Sequence, residues 1–174
     1  RVSLSYGTAY FDLEASPDRF ELAVRALAEG NSLQGTARII QVDKDTVCAW
    51  LNRAAHQCWR VLLYHWHDLW VTECQLDELW SFVHTKERNL GAAQQWCKTD
   101  GDPWVCVAFA PVWRWVVAFV VGQRTQESAN LLLDRVAYVT DDHIPFFTSD
   151  QWSAYPNALL RTYGEWYQPT RQGR

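Results

Sequence analysis

The chain has 174 residues, of which 48% are hydrophobic, and its formal net charge is −4. This composition is typical of a globular protein and argues against a disordered chain and a uniformly basic nucleic-acid-binding surface. The longest apolar run, from Val105 to Val121, is interrupted by Pro111 and Arg114, so it does not predict a membrane span. Five cysteines without a CxxC pair indicate reduced thiols in a cytosolic protein.

Residues 1–16 contain a short β-like piece and two adjacent aromatic side chains, Tyr10 and Phe11. The chain begins with Arg and contains no Met, so we expect a piece of a longer reading frame. Residues 1–16 are then the remnant of an upstream segment, and they predict no function by themselves.

Three helical patterns follow between Pro17 and Leu69. Apolar residues recur at helical spacing in each pattern: Phe20, Val24 and Leu27; Leu33, Ala37 and Ile40; Val47 and Leu51. The predicted N-caps are Ser16, the pair Asn31-Ser32 and Asp45, and Gly30 is a predicted helix end. A tight turn at residues 41–44 makes this a predicted helix-turn-helix domain over residues 17–70, whose third helix continues to near Leu69 as a linker.

The third helix of such a domain enters the major groove of DNA, where its early exposed side chains meet base edges and phosphates. The candidate DNA-binding residues are therefore Lys44, Thr46, Ala49, Asn52 and Arg53. A three-helix oligomerisation bundle would give the same pattern and stays open as an alternative. His65 and His67, near Cys74, are residue types found in metal sites, but residues two apart on a helix lie on different faces, which favours packing.

Residues 73–83 predict a β-strand with one buried face, because apolar side chains alternate along it and only Glu78 interrupts them. Asp77 lies inside this strand, where turn chemistry does not explain it, and a buried carboxylate costs free energy unless a cation meets it. Asp150 follows a second apolar run over residues 144–149. Two aspartates at the exits of two strands are suited to share a divalent metal ion.

The remaining patterns predict a hairpin, a helix, a strand and a final helix. The two strands of the hairpin, at 104–110 and 115–121, are nearly continuously apolar, as expected for strands covered on two faces. The loop over 84–103 that precedes them contains Lys86, Arg88 and Lys98 and is predicted to be solvated. Thr125 caps a predicted helix with an apolar face of Ala129, Leu132, Leu133 and Val136. A strand at 146–148 and a helix at 152–163 follow, the helix with Tyr155, Leu159 and Leu160 directed inward.

Three strands, a helix, a strand and a helix form the start of a ribonuclease-H-like fold. The predicted fold class is therefore α/β (mixed α+β): an N-terminal three-helix helix-turn-helix followed by a ribonuclease-H-like mixed sheet with flanking helices. The first and fourth strands of that fold lie side by side, which would bring Asp77 and Asp150 together. Periodicity alone does not predict that adjacency.

Three blocks, Leu76–Val83, Val117–Thr125 and Phe147–Pro156, together resemble the transposases of the insertion-sequence-one type. These are DDE-type enzymes with a ribonuclease-H-like catalytic core behind an N-terminal helix-turn-helix. The resemblance covers most of residues 18–163. It departs from the family pattern at Gln151, where a Gly often follows the second aspartate.

The resemblance implies that Asp77 and Asp150 are the first and second catalytic aspartates and hold Mg²⁺ (or Mn²⁺), with two ions in the complete enzyme. It also implies a third carboxylate, a glutamate on a later helix beyond Arg174, because Glu165 follows Asp150 too closely. The core over residues 71–174 is thus expected to be incomplete at its C-terminus, with little or no strand-transfer activity. Glu78 points to the opposite face of the strand and is interpreted as a residue that supports the metal ligands or as a structural residue, rather than as a ligand itself.

The expected function is that of a DNA transposase that cleaves and joins phosphodiester bonds at the ends of an insertion sequence. Its expected partners are double-stranded DNA, as terminal inverted repeats and target DNA, and further copies of the chain in a homo-oligomer, with no membrane. A non-catalytic helix-turn-helix DNA-binding protein and a ribonuclease-H-like nuclease remain alternatives. Taken singly, Asp77 could be an ion-paired buried residue and Asp150 a helix cap.

Overall fold

The structure, a computed structural model, describes residues 4–80, 103–141 and 143–168. The elements in these ranges are α1 (Pro17–Ala28), α2 (Leu33–Ile40), α3 (Lys44–His65), β1 (Glu73–Trp80), β2 (Trp104–Ala110), β3 (Trp115–Gly122), α4 (Gln126–Val139), β4 (Phe146–Ser149) and α5 (Ala154–Tyr163). The chain divides into two compact units, Arg1–His65 and Trp66–Arg174. The predicted loop over 84–103, with Lys86, Arg88 and Lys98, lies almost entirely outside the described residues, as do residues 81–83 of the predicted first strand.

The first unit is built on α1, α2 and α3, which share a small core of Phe20, Ala23, Ile40 and Trp50. Pro17 begins α1 as predicted, and Gly30, at φ +84°, follows its C-terminus in the left-handed region that glycine adopts without strain. The turn between α2 and α3 starts at Gln41, also left-handed at φ 58°. The sequence-based assignment of three helices with a tight second turn is confirmed.

Several details of these helices differ from the predictions. Asp45 does not cap α3, because the carboxylate of Asp43 accepts the amide N–H of Asp45 at 2.8 Å and the helix already begins at Lys44. Leu51 is exposed, and Trp50 takes the inward position three residues after Val47. The helix ends at His65 rather than near Leu69, since Asp68 adopts a left-handed φ of 50°.

The second unit contains a four-stranded mixed sheet in the order β3-β2-β1-β4. The β2–β3 hairpin turns at Pro111–Arg114, with Arg114 at φ 52°, and β1 pairs antiparallel with β2. β4 adds to the other side of β1 in the parallel direction, and α4 makes the crossover from β3. This order and these directions are those of a ribonuclease-H-like core, so the predicted mixed fold is confirmed.

The core of the second unit lies between the sheet and the helices α4 and α5. Ala129, Leu132, Leu133 and Val136 are fully buried, which confirms the predicted apolar face of α4. The prediction that β2 is covered on both faces is wrong in part, because its buried residues alternate with half-buried ones. Leu160 of α5 is exposed rather than inward, because Ala154, Tyr155 and Ala158 occupy the face that meets the core.

Two cysteines of the sheet are part of this core. Burial raises the pKa of the Cys74 thiol to about 12 and that of the Cys106 thiol to about 11, the latter also under the influence of Glu78. Both thiols are therefore protonated at neutral pH and pack as small apolar side chains. In the described ranges, none of the helices combines the length and the hydropathy that crossing a bilayer requires.

Candidate active site

Asp77 lies in the middle of β1, on the face opposite to the core. The alternation of the strand places Cys74 and Leu76 in the core and leaves Gln75 and Asp77 exposed. One oxygen of Asp77, Oδ1, accepts a hydrogen bond from the amide N–H of Glu78 at 2.8 Å. The side chain is thus oriented by its own backbone and keeps oxygen atoms open to solvent.

Asp150 follows directly after the last residue of β4. Its Oδ1 accepts the amide N–H of Trp152 at 3.0 Å, a short turn that orients the carboxylate ahead of α5. The side chain is 53% exposed, so it is not a buried carboxylate that needs a permanent counter-ion. The alternative of a helix cap is wrong, because Ser153 occupies the N-cap position of α5, and the ligand role of Asp150 stays a prediction.

The parallel pairing of β1 with β4 brings the two aspartates next to each other. Gln75 pairs with Thr148 and Leu76 with Ser149, so Asp77 and Asp150 are the next residues on the two strands. Neighbouring strands lie about 4.8 Å apart, so the backbone of Asp77 is close to the point where the chain leaves β4 at Asp150. The predicted adjacency of the first and fourth strands is confirmed; the catalytic and metal-binding roles of Asp77 and Asp150 stay predictions.

This pair of residues fits the requirements of a hard divalent cation. Mg²⁺ prefers oxygen ligands and retains several waters, so carboxylates with partly solvated oxygens suit it. Within residues 4–80, 103–141 and 143–168, no group of three or more His, Cys, Asp or Glu side chains is arranged to hold a metal ion. Asp77 and Asp150 therefore stay the predicted metal ligands, and the described residues add no third carboxylate to them.

The buried carboxylate of this region belongs to Glu78, whose side chain is only 4% exposed. The guanidinium of Arg124 donates to Glu78 Oε2 through Nε at 3.2 Å and through Nη2 at 3.1 Å. The same Nη2 lies 3.8 Å from Oδ2 of Asp150. Arg124 therefore connects a buried acid of β1 with the exposed acid that follows β4.

Two tryptophans hold the Arg124 guanidinium in place. Its central carbon lies 4.5 Å from the ring centre of Trp152 and 5.4 Å from that of Trp104. Such cation–π contacts stabilise a guanidinium in one orientation. Since Trp152 also donates its amide N–H to Asp150, one residue orients both the cation and the neighbouring carboxylate.

Tyr155 lies beneath this charged group. It is fully buried, and burial, followed by the nearby Glu78 carboxylate, raises the pKa of its hydroxyl well above the usual range. Among the described residues, neither the Tyr155 hydroxyl nor Oε1 of Glu78 completes a hydrogen bond. The two groups are nonetheless close, because the Glu78 carboxylate, as an acceptor and as a charge, contributes to the raised pKa of the Tyr155 hydroxyl.

The candidate DNA-binding residues of α3 fall into two groups. Lys44, Ala49 and Asn52 are exposed, whereas Thr46 and Arg53 are half-buried. Arg53 donates to the backbone carbonyls of Ala9, Phe11 and Asp12. Thr46, Ala49 and Arg53 also line a cleft that residues 12–15 close on one side. The structure thus gives Arg53 an intramolecular role, and contact of these five residues with DNA stays a prediction.

The sequence profile of IS1 transposases matches residues 71–163, which is more than half of the chain. The chain belongs to the IS1 transposase family. This confirms the resemblance inferred from the three sequence blocks, and the matched range contains every strand of the sheet as well as Asp77 and Asp150.

Known relatives cover the chain only in part. The insertion element iso-IS1n protein InsB of Shigella dysenteriae is 34% identical over 82 residues, which are 47% of this chain and 50% of that protein. The chain thus spans about half the length of this curated relative. Among solved structures, the Mos1 transposase paired-end complex with left transposon end matches 87% of this chain and 59% of that chain, at 13% identity and a TM-score of 0.34.

Sequence reasoning missed the part played by Glu78 and Arg124 in this IS1-type core. The requirement that a buried carboxylate meet a cation was applied to Asp77, but Asp77 is exposed and Glu78 is the residue to which it applies. The signal was present, because Glu78 was the one polar residue on the apolar face of the strand. Arg124 lies in a loop far along the chain, and only the sheet order brings it to Glu78.

Proposed function

We propose that the protein is a DNA transposase that cleaves and joins phosphodiester bonds at the ends of its element in a metal-dependent reaction. The parallel pairing of β1 with β4, which makes Asp77 and Asp150 neighbours at the same end of the sheet, is the observation that supports this most directly. Membership in the IS1 transposase family supports the same conclusion. Each reaction would transfer a phosphoryl group from one oxygen to another.

Asp77 and Asp150 would hold the divalent cations, Mg²⁺ or Mn²⁺. When bound, two such ions activate the attacking water or 3′-hydroxyl and stabilise charge on the leaving oxygen. Asp77 and Asp150 would each contribute carboxylate oxygens to this site. The backbone amides of Glu78 and Trp152 would hold the two carboxylates in orientation, since each already donates to the Oδ1 atom of its aspartate.

Joining of DNA ends separates a transposase from a nuclease of the same fold. We expect the full-length protein to join a pre-cut element end to a supercoiled target plasmid in the presence of Mg²⁺. The product is measured as plasmid carrying a labelled end. A protein that nicks DNA with Mg²⁺ but never joins this end would support the nuclease instead, and one that does neither would support a non-catalytic DNA-binding protein.

We also propose that residues 17–70 form a helix-turn-helix DNA-binding domain that reads the element ends with α3. Lys44 and Asn52 are exposed on this helix, where one can meet a phosphate and the other a base edge. Residues 1–16 would then belong to a segment upstream of this domain. Copies of the chain would act together on the two ends of one element, as a homo-oligomer.

The two exposed residues are expected to contribute differently to DNA binding. Lys44→Ala should weaken binding to any duplex and lower the salt slope of log K by about 1, whereas Asn52→Ala should cost about 1–3 kcal/mol only on an element-end duplex. Fluorescence anisotropy of end and scrambled duplexes over a salt series measures both effects. Arg25→Ala, which removes an exposed cation from α1, is the matched control. Equal losses for Asn52→Ala on both duplexes would contradict base reading by this helix.

A further inference from the structure

A charged chain of three side chains runs from the buried face of β1 to the exposed carboxylate after β4. Glu78 accepts two hydrogen bonds from Arg124 through a single oxygen, at 3.1 and 3.2 Å, and Arg124 lies 3.8 Å from Asp150. The guanidinium thus makes its hydrogen bonds to the buried acid and reaches the exposed acid at ion-pair distance only. The position of the Arg124 guanidinium between the two carboxylates therefore determines how strongly its positive charge acts on Asp150.

Arg124 is fixed in this position from several sides. Trp152 and Trp104 stack on its guanidinium, at 4.5 and 5.4 Å from their ring centres. The loop that carries it is held because the Ser128 hydroxyl donates to the carbonyl of Gln123 and Thr125 begins α4 as its N-cap. The Arg124 side chain therefore has little freedom to leave this position. A rotation of its guanidinium group would bring it closer to Asp150.

Glu78 and Asp150 differ in burial, and this difference decides which of the two acids depends on Arg124. Glu78 is 4% exposed and depends on Arg124 for neutralisation, whereas Asp150 is 53% exposed and is also solvated by water. While Glu78 holds the guanidinium, Asp150 keeps its negative charge for another cation. If Glu78 were neutral, the full charge of Arg124 would face Asp150 alone and would oppose a metal ion there.

We propose that Glu78, acting through Arg124, is a positioning residue for Asp150 that keeps this carboxylate available to a divalent cation. The proposal rests on the proposed function, in which Asp150 is a metal ligand. It assigns Glu78 no contact with DNA or with the metal. Glu78, which follows Asp77 on the other face of β1, thereby limits the positive charge that Arg124 exerts on Asp150.

The test measures Mn²⁺ affinity by calorimetry on the chain itself, without DNA and without an activity assay. Glu78→Gln keeps the shape of the side chain and removes its charge, and it should weaken Mn²⁺ binding about ten- to a hundredfold. The double variant Glu78→Gln/Arg124→Gln removes both charges and should bind Mn²⁺ within about threefold of the unchanged chain. Glu78→Asp, which keeps the charge, should also stay within about threefold.

The double variant separates charge control from a purely structural role. A structural role predicts that removing both partners is at least as harmful as removing one, whereas charge control predicts recovery. Because the double variant buries no charge, it remains informative if Glu78→Gln alone does not fold, and circular dichroism monitors folding in every case. The proposal would be overturned if the double variant bound Mn²⁺ more weakly than Glu78→Gln does, or if its affinity for Mn²⁺ were at least tenfold lower than that of the unchanged chain.

A third set of variants distinguishes failure of this inference from failure of the proposed function. Asp77→Asn and Asp150→Asn should each remove the Mn²⁺ site measured in the unchanged chain. If Mn²⁺ binding does not depend on these aspartates, the proposed metal site is wrong, and the positioning role of Glu78 falls with it. If binding depends on them but Glu78→Gln leaves the affinity unchanged, only the positioning role is wrong.

Discussion

Replacing Asp77 by Asn is expected to lower the rate of Mg²⁺-dependent DNA nicking by the full-length protein about 10³-fold or more. The substitution keeps the size of the side chain and its acceptor oxygen but removes the negative charge that would hold the cations. Because Asp77 is exposed on β1, it should leave the free energy of unfolding nearly unchanged. Conversion of supercoiled to open-circular plasmid measures the rate.

Two further variants make this result specific to the carboxylate pair. Glu73→Gln makes the same chemical change on the same strand, four residues before Asp77, and should leave nicking unaffected. The double variant Asp77→Asn/Asp150→Asn should be no slower than either single variant, because ligands of one site act as a unit. Nicking by Asp77→Asn within about tenfold of the unchanged protein would contradict the metal role of this residue.

The sequence predicted the helical part of the fold well because its apolar patterns are strong and local. All four predicted apolar residues of α4 are fully buried, and Thr125 caps the helix through the amide N–H of Ser128. Both properties depend on residues within one or two turns of each other. Errors concern residues such as Leu160, where the inward face of a short helix is set by its neighbours rather than by its own pattern.

The candidate site was predictable only as far as its aspartates. Strand pairing is a long-range property, so the adjacency of β1 and β4 followed from the order of the elements and the family resemblance, and the register then agreed with it. Contacts of Arg124 with Glu78 and Asp150 join three separate parts of the chain, and no periodicity encodes them. The same holds for Arg53, whose donation to carbonyls of residues 9–12 no helical pattern predicts.

The environment that the strand pattern predicted for Asp77 was wrong. Asp77 was expected to be a buried charge in need of a partner, yet it lies on the exposed face, and its neighbour Glu78 carries that requirement. A strand has a side-chain period of two, so adjacent acids necessarily experience opposite faces. The Asp77-Glu78 pair thus combines an exposed acid suited to a metal ion with a buried acid suited to a fixed ion pair.

Tyr155→Ala is expected to lower the free energy of unfolding by about 3–5 kcal/mol, the usual cost of truncating a large buried aromatic residue. Among the residues that the structure describes, Tyr155 is the largest fully buried side chain, and it packs edge-on against Trp152 with ring centres 4.9 Å apart. The cavity left by the ring would lie beneath Glu78 and beside the start of α5. Urea unfolding followed by circular dichroism measures the change at constant m value.

Tyr155→Phe is the matched control, and it tests the hydroxyl separately from the ring. Since this hydroxyl completes no hydrogen bond among the described residues, its removal should change the free energy of unfolding by less than about 1 kcal/mol. A loss of about 2 kcal/mol or more would mean that the hydroxyl donates to the Glu78 carboxylate in solution. Tyr155 would then be a second partner of the buried acid, and Glu78→Gln and Tyr155→Phe would have non-additive effects on stability.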